Sequence, residues 1–434
     1  MGRSHLLSKG FTIALVAAHA LGGGEAHALQ PIEHFYDRAR THSFDAREQL
    51  ATNEQRDWEA DAALGRLLPS FSARGTYQRN QYETAVTLPG STASIVLTPK
   101  NQLDGVLQLD VPIIDLASYQ RHAQSKRLAE ASKVQSEVVA AEVTRAVARA
   151  YYSFVGASAL AVSARRSLQM AEDNAAFVGV RREAGAALEL DVERARANVE
   201  RAKQDVADAD LLQMTAARNL ETLSGSTPTP VTDLTEDDLR DEGALQSWLE
   251  AKDTPTERAQ ALLNEAAVAG ERAAKYALLP TLSANAQERF TNAAGFSGRS
   301  SLYTVQVVLS WRLDYGSYAT AKAQGFANQV QQIRSQRTRR SEQDAIFDAY
   351  QRVATGVSKS AAARAQAGAA DKAAVLASDR YRAGVLTQLD VTQSQRDAFQ
   401  AQASRIQADA DLAYARVLLR TAAGKPPLPS MKTK

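Results

Sequence analysis

The sequence predicts a mainly α chain with a small β part, built as two tandem copies of one unit: a strand pair followed by a long antiparallel coiled-coil hairpin. Three observations carry this expectation. Proline is absent between Pro112 and Pro228 and again between Pro280 and Pro426, and proline-free stretches of that length suit long helices. Short words recur in the same order about 200 residues apart. Four segments read as two strand pairs, and the second strand of each pair alternates apolar and polar side chains, the period of a strand with one apolar face.

The chain opens with Arg3 and Lys9 ahead of the apolar run Phe11–Leu21, and Ala26, His27 and Ala28 form a small-x-small cleavage site. Residues 1–28 therefore read as a secretory signal, with Leu29 starting the mature chain. As an uncleaved anchor the run would be too short to span a bilayer comfortably. Cleavage removes Arg3, Lys9 and Glu25 and takes the formal net charge from +2 to +1, which leaves no electrostatic footprint for nucleic acid. There is no cysteine, hence no disulfide framework, thiolate metal site or acylated N-terminal cysteine. Three of the six histidines lie in the leader, leaving His34, His42 and His122. A histidine-based catalytic or metal cluster is poorly supplied, there is no phosphate-cradling glycine loop, and neither an enzyme nor a cofactor is expected.

The repeat shows in three places. Leu67, Leu68, Pro69, Ser70, Phe71, Ser72 and Ala73 return as Leu278, Leu279, Pro280, Thr281, Leu282, Ser283 and Ala284, an offset of 211. Asp115, Ser118 and Tyr119 return as Asp314, Ser317 and Tyr318, an offset of 199. Arg181, Ala184, Gly185, Leu190, Asp191 and Val192 return as Arg380, Ala383, Gly384, Leu389, Asp390 and Val391 at the same offset. Chance supplies one such match; three in one order indicate duplication. The 12-residue difference falls in a longer first-copy loop, Asn80–Asn101, where Pro89, Gly90 and Pro99 signal irregular backbone. The expected units are residues 29–225 (first repeat), 226–254 (a connecting, equatorial segment), 255–424 (second repeat) and 425–434 (a C-terminal tail).

Within each copy the order is helix, strand, loop, strand, long helix, tight turn, helix. Strands are placed at Phe71–Gln78 and Leu103–Val111, then at Leu282–Phe290 and Leu302–Leu313. In the last, Tyr303, Val305, Val307, Leu309, Trp311 and Leu313 share one face, while Thr304, Gln306, Ser310 and Arg312 share the other. Its length matches the roughly 9 to 11 residues of a tilted membrane strand, with Tyr and Trp near the ends as interface anchors. A half-buried hairpin of a soluble protein shows the same alternation. Alternation is strictest in this last strand; in the first copy Leu103, Leu107, Leu109 and Val111 also alternate cleanly, but the odd offset of 199 puts their apolar face on the opposite parity. A bulge near Pro112 would resolve the conflict.

From Ala117 to Glu183 there are 67 residues without proline, about 100 Å of continuous helix at about 1.5 Å per residue. Ala140, Val143, Val147, Ala150, Phe154, Ala157 and Ala161 hold the 4-3-4-3 spacing of a coiled-coil seam. Beyond the turn at Gly185, Val192, Ala195, Val199, Ala202, Val206, Ala209, Ala216 and Leu220 keep the rhythm, broken only at Gln213. The second copy has a long arm Tyr318–Arg382, a turn at Gly384 and a return arm Gln388–Thr421. Gly185 and Gly384 stand where a helix reversal calls for positive φ, so a plain C-cap accounts for them as well as a functional tip does. Asp191 and Asp390 stand where a return helix begins and a carboxylate caps free N–H groups. Heptads alone fit a plain coiled coil.

Four membrane strands cannot close a barrel, the smallest having about 8, and lipid does not tolerate open edges. If the strands span, several chains share one barrel and their hairpins hang from it as a tube. The Leu-Leu-Pro entries at Pro69 and Pro280, the strand-to-helix passages Val111–Tyr119 and Ser310–Tyr318, and the twice-used turn motif Arg-x-x-Ala-Gly-x(4)-Leu-Asp-Val complete a pattern. Over essentially all of the mature chain, it resembles the TolC-type outer-membrane efflux proteins.

The resemblance implies a homotrimer with a twelve-stranded β-barrel in the outer membrane and an α-helical tunnel across the periplasm. It implies an exit duct for an inner-membrane pump, reached through a periplasmic adaptor protein. Adaptor docking would fall at the periplasmic tips, on Arg181, Gly185, Leu190, Val192, Arg380, Gly384, Leu389 and Val391. The gate would use Asp191, Tyr381, Asp390 and Gln393: three copies of Asp390 make an acidic constriction that favours cations, and Tyr381 ties the closed tip by a bond to Asp191. Where the family's best-known form has a second pore aspartate and a latch arginine, this chain has Gln393 and Leu386, so fewer polar links would hold the tip and cation block would be weaker. The rival to a duct is a secreted or periplasmic coiled-coil scaffold or adaptor, which accounts for leader and heptads but not for the duplicated strand pairs. Cargo is not legible. Only Met170, Met214 and Met431 remain in the mature chain, which argues against a methionine-rich metal relay without excluding a metal pump as partner.

Overall fold

The computed structural model describes residues 30–90, 94–230, 237–250 and 254–427. The expected leader and Leu29 lie outside these residues, as does most of the C-terminal tail. Helices α1 (Ile32–His42) and α2 (Phe44–Gly65) lead into β1 (Ser70–Arg79). A small hairpin, β2 (Thr84–Thr87) and β3 (Ser94–Thr98), follows, then β4 (Asn101–Ile114), α3 (Leu116–Glu183) and α4 (Glu189–Ser224). The second half contains α5 (Gln246–Leu249), α6 (Pro255–Tyr276), β5 (Thr281–Thr291), β6 (Ser301–Ser310), α7 (Tyr315–Arg382) and α8 (Gln388–Ala422). The two long helices have 68 residues each. They also start alike: the Asp115 and Asp314 carboxylates accept the backbone N–H groups of Ser118 and Ser317 at 2.9 and 2.8 Å, satisfying donors that a helix N-terminus leaves free.

The four long strands form one antiparallel sheet in the order β1-β4-β5-β6. Its register gathers most apolar side chains of every strand on one side, where Glu288 is the exception beside Leu107 and Tyr303, while Val106, Leu302 and Val308 fall on the other. Phe71 lies opposite Leu109, Leu109 opposite Ala286, and Ala286 opposite Val305; Tyr77 lies opposite Leu103. This face is bare, with Phe71, Tyr77, Leu103, Tyr303, Val305, Val307 and Leu309 all exposed. The other face is mainly polar and cross-linked: Arg289 pairs with Asp104 at 2.8 Å, and Asn285 donates to Asp110 at 2.6 Å.

The parity conflict between the copies has a local cause. Pro112 pairs with Ser283 and Ile114 with Leu282, so Ile113 is an extra residue in β4. The bulge flips the parity of β4 before its helix begins, and both apolar faces end on one side. Two expectations need correction. The last strand stops at Ser310, not Leu313, because its partner β5 begins at Thr281, opposite Ser310; Trp311 and Leu313 lie in the passage to α7. The first-copy loop is not wholly irregular, since the β-branched stretches around Val86 and Ile95 pair as β2 and β3, with Gly90 between them at φ +85°.

In the helical part, α6 and α8 pack against both long helices, while α2 and α4 pack on α3. The predicted seams are real: Val143, Val147, Phe154 and Ala161 of α3 are buried, as are Val192, Ala195, Ala202, Ala209, Ala216 and Leu220 of α4. Gln213, the break in the rhythm, donates to the buried Ser158 hydroxyl at 3.1 Å. On α7 the buried stripe Ile346, Val353, Ser360, Ala367, Ala374 and Tyr381 recurs every seven residues, a coiled-coil period. Helix α1 closes the middle of the first hairpin, burying Ile32, Phe35 and Tyr36 against Tyr151, Phe154 and Leu220. No helix among the described residues is long and apolar enough to cross a membrane.

The connecting segment is strapped to α7 and α8. Arg416 pairs with Asp237 at 2.8 Å and Glu242 at 2.5 Å and donates to the Arg240 carbonyl at 2.7 Å. Arg364 donates to the Asp237 carbonyl at 2.9 Å and pairs at 3.0 Å with Asp409, which is 2% exposed and also accepts from the Ser360 hydroxyl. Tyr350 donates to the Gly243 carbonyl at 2.8 Å, and the Lys425 ammonium sits 3.7 Å from the centre of the buried Trp248 ring.

Candidate functional site

Both hairpin tips are built by the same backbone device. Gly185 (φ +72°) and Gly384 (φ +78°) follow the last helical turns. The N–H of Ala186 reaches back to the Arg181 carbonyl at 2.7 Å, and that of Val385 to the Arg380 carbonyl at 2.9 Å. This is a Schellman closure, which needs a left-handed residue and so favours glycine. The return helices are then capped by the two aspartates. Asp390 accepts from the Thr387 N–H at 2.9 Å and the Thr387 hydroxyl at 2.6 Å, and Thr387 in turn accepts the Asp390 N–H at 3.4 Å. The Thr387 hydroxyl, and after it the Thr387 N–H, hold the Asp390 carboxyl below the usual carboxylate range. Asp191 accepts from the Leu188 N–H at 3.3 Å, but Leu188 has no side-chain acceptor and only half the box forms. Across this first turn Arg182 pairs with Glu189 at 2.6 Å.

The two tips are joined through Arg181 and Tyr381. The Arg181 guanidinium lies 5.0 Å from the Tyr381 ring centre and donates to the Tyr381 carbonyl at 2.9 Å. Phe177 meets the Tyr381 ring edge-on at 6.1 Å, with Val178, Val192, Ala195 and Val391 packed around them and Leu386 against the cluster. Burial raises the Tyr381 phenol pKa, with Arg181 opposing and Asp191 adding to the shift. Among the described residues, no hydrogen bond joins the Tyr381 hydroxyl to Asp191, whose carboxylate is engaged on Leu188. Further along, Asn198 donates to Gln395, Arg396 donates to Asn198 (both at 3.3 Å), and Gln395 donates to the Met170 carbonyl at 3.4 Å. These ties cross 197 to 225 residues of sequence and have no local signature.

The expected docking residues divide. Leu190 and Leu389 are 55% and 54% exposed, and Gly185, Arg380 and Gly384 are exposed as well. Val192 and Val391, at 6% and 0%, are in the tip core. They support the surface without being part of it, because two residues further along a helix is roughly 200° around it. Arg181 is half-buried and committed to Tyr381. Asp390 and Gln393 are exposed, and Gln393 donates to Asp397 at 2.9 Å.

Asp390 and Gln393 also begin a longer feature. Apart from Leu389, every exposed residue of α8 lies on one stripe: Asp390, Gln393, Asp397, Gln400, Ser404, Gln407 and Asp411. The stripe ends in a groove of about 1960 Å³ between α3 and α7, lined by Arg149, Arg337, Arg352, Lys359, Asp411 and Tyr414 among others. Arg416, which holds the connecting segment, is roughly 140–160° around α8 from Asp411 and Tyr414. Arg364 and Tyr350 are displaced by the same angles on α7 from Lys359 and Arg352. Arg416, Arg364 and Tyr350 thus point away from the groove, while Thr254 and Lys425, at the ends of the strapped region, reach its rim.

Residues 35–226 and 252–425 match the family model described as outer membrane efflux protein. The chain belongs to the outer membrane efflux protein family. Among solved structures, a membrane protein from Pseudomonas aeruginosa superposes with a TM-score of 0.77 at 21% identity, covering 93% of this chain and 92% of that one. The CmeC outer membrane channel of Campylobacter jejuni gives 0.77 at 18% identity, covering 91% and 85%. The outer membrane protein VceC of Vibrio cholerae gives 0.75 at 14%, covering 92% and 97%. At these identities the likeness is one of fold. Among curated proteins none matches the chain. The resemblance carried jointly by the Leu-Leu-Pro entries, the strand-to-helix passages and the turn motifs is borne out: this outer membrane efflux protein has TolC-like channels as its structural neighbours. The Arg181 contact, the strap and the groove were not foreseen from the sequence, since each joins residues from separate helices.

Proposed function

We propose that this outer membrane efflux protein assembles as a homotrimer in the cell outer membrane and serves as the exit duct of a tripartite export system. The observation that carries this is the sheet: four strands with one bare apolar face, one polar face and two unpaired edges. Neighbouring strands alternate in direction, so β1 and β6 are antiparallel to each other and can pair across a chain boundary without a parallel contact. Three chains then give an even, closed barrel of twelve strands, apolar towards lipid and polar within. A second heptad stripe on α7, with Phe326, Ile333, Phe347 and Val375 exposed, and the exposed Leu211, Leu212 and Met214 of α4 supply apolar edges for neighbouring chains. A secreted scaffold has no use for the apolar sheet face.

In the assembled duct the α8 stripe faces the axis, so three Asp390 carboxylates line the tip with Gln393 behind them. Arg181 on Tyr381, more than a Tyr381–Asp191 bond, holds the two hairpins of each chain together there. The exposed tip residues Gly185, Leu190, Arg380, Gly384 and Leu389 receive the periplasmic adaptor, which links the duct to an inner-membrane pump. Reconstitution in planar bilayers tests the duct: purified protein should insert and give uniform conductance steps. A protein that fractionates as soluble and never conducts would return the scaffold to favour.

A further inference from the structure

Resting on the duct function proposed above, we propose that its middle section is an anion-attracting band, about 33 Å long along α7, built by Arg149 of α3 and Arg337, Arg352 and Lys359 of α7, so that the solutes it conducts best are anions. All four side chains are exposed and line the groove between α3 and α7. The groove is set between the long helices of one chain, touches the strap only at its Thr254 and Lys425 rim, and takes in Asp411 at the end of the exposed α8 stripe that faces the axis in the proposed duct. Its place is therefore the inner wall of the tube.

The charge balance there is uneven. Arg145 has Glu142 at 3.9 Å, and Lys425 is seated on Trp248. Of the acids, Glu137 is taken by Arg258 at 2.5 Å and Glu342 accepts the Thr254 hydroxyl at 3.0 Å. Asp411 accepts from Gln407 at 2.9 Å, and Asp348 stands alone among the described residues. None of Arg149, Arg337, Arg352 and Lys359 has an ion-pair or hydrogen-bond partner among the described residues. Together with Arg40 and Lys425, each chain thus adds six cations without an acidic partner among the described residues, against three acids without a basic one, Glu342, Asp348 and Asp411.

Rings of Arg and Lys select anions in pores, and a concave wall of one sign concentrates the counter-ion. The acidic stretch of α8 near the tip does not cancel this field. From Asp397 to Asp411 is about 21 Å of helix, more than twice the Debye length of about 8 Å at physiological salt. The duct would have an acidic mouth and a separate basic waist.

Planar-bilayer reversal potentials in a KCl gradient at low ionic strength test this on the full-length protein. Wild type should prefer chloride, and the preference should fall severalfold, to cation preference, in the variant carrying Arg149→Gln, Arg337→Gln, Arg352→Gln and Lys359→Gln. A charge-keeping variant, with lysine at the three arginines and arginine at Lys359, should behave as wild type, which separates lost charge from lost fold. Conductance with cation preference in wild type, or selectivity unchanged in the glutamine variant, would overturn the anionic waist while leaving the duct standing. No conductance at all from wild type would overturn the duct and the waist together.

Discussion

Arg181, on the first hairpin, holds both the ring and the main chain of Tyr381 on the second, at 5.0 Å and 2.9 Å. The Tyr381 hydroxyl has no part in either contact. Tyr381→Phe should therefore leave channel opening unchanged, whereas Arg181→Ala should loosen the tips. A part-exposed cation–π contact together with a charged hydrogen bond stabilises by about 1–2 kcal/mol, or roughly a 5- to 30-fold shift in the open fraction. Single-channel open probability measures both variants; an effect of Tyr381→Phe as large as that of Arg181→Ala would place the latch on the hydroxyl.

The tip core and the tip surface should separate by mutation. Val391→Ala removes two buried methyl groups and should lower stability by about 1.5 kcal/mol, read as a fall in Tm. Leu389→Ala, on the exposed neighbour, should leave Tm unaltered and weaken crosslinking of the tip to the adaptor.

On the sheet, side-chain parity predicts opposite outcomes for adjacent residues. Val307→Arg puts a cation on the apolar face, where midplane burial in lipid costs about 2–4 kcal/mol, and should reduce the heat-resistant assembled form in outer-membrane fractions. Gln306→Arg, on the polar face, should be tolerated. Equal loss from both would mean that neither face meets lipid.

The strap depends on Arg416, whose removal leaves Asp237 without its charge partner and Glu242 with only Arg420 at 4.0 Å. Losing one partner of a part-buried charged pair costs about 1–3 kcal/mol, and Arg416→Ala should make the connecting segment around Asp237 and Glu242 the first site of limited proteolysis. Resistance equal to wild type would show that Trp248 and Tyr350 suffice to hold the segment.

The tip should be insensitive to pH across the physiological range. The capping form of Asp390 is the carboxylate, and its folded pKa is depressed by Thr387. Its contribution is complete above the unfolded value of about 3.9 and is lost only as pH falls through the lower, folded value. Amide exchange in the first turn of α8 should show constant protection from about pH 8 to about pH 5 and fraying only below about pH 4. Loss of protection near neutrality would contradict the capping role.

Features with a local signal were legible in advance. Absence of proline, the heptad seams and the glycine turns located α3, α4, α7 and α8 to within a few residues, because each is written in neighbouring positions. The β2–β3 hairpin was hidden by the Pro89–Gly90 turn signal that it surrounds. Parity exposed the need for a bulge, and Ile113 supplies it. Val192 and Val391 entered the docking set only because they travel with Leu190 and Leu389 in the repeated motif. The contacts of Arg181, Arg364 and Arg416 cross 45 to 200 residues, and no nearby residue type announces the partner.

Closure of the barrel between chains is the claim on which the rest depends, and the absence of native cysteine permits a clean test. Cysteine placed at Thr304 on β6, scanned against single cysteines from Ser70 to Gln78 on β1, should oxidise in membranes at a subset of positions. Those positions should give covalent species that stop at three chains. Chains that stay monomeric throughout the scan, or ladders that run beyond three, would contradict the trimeric duct.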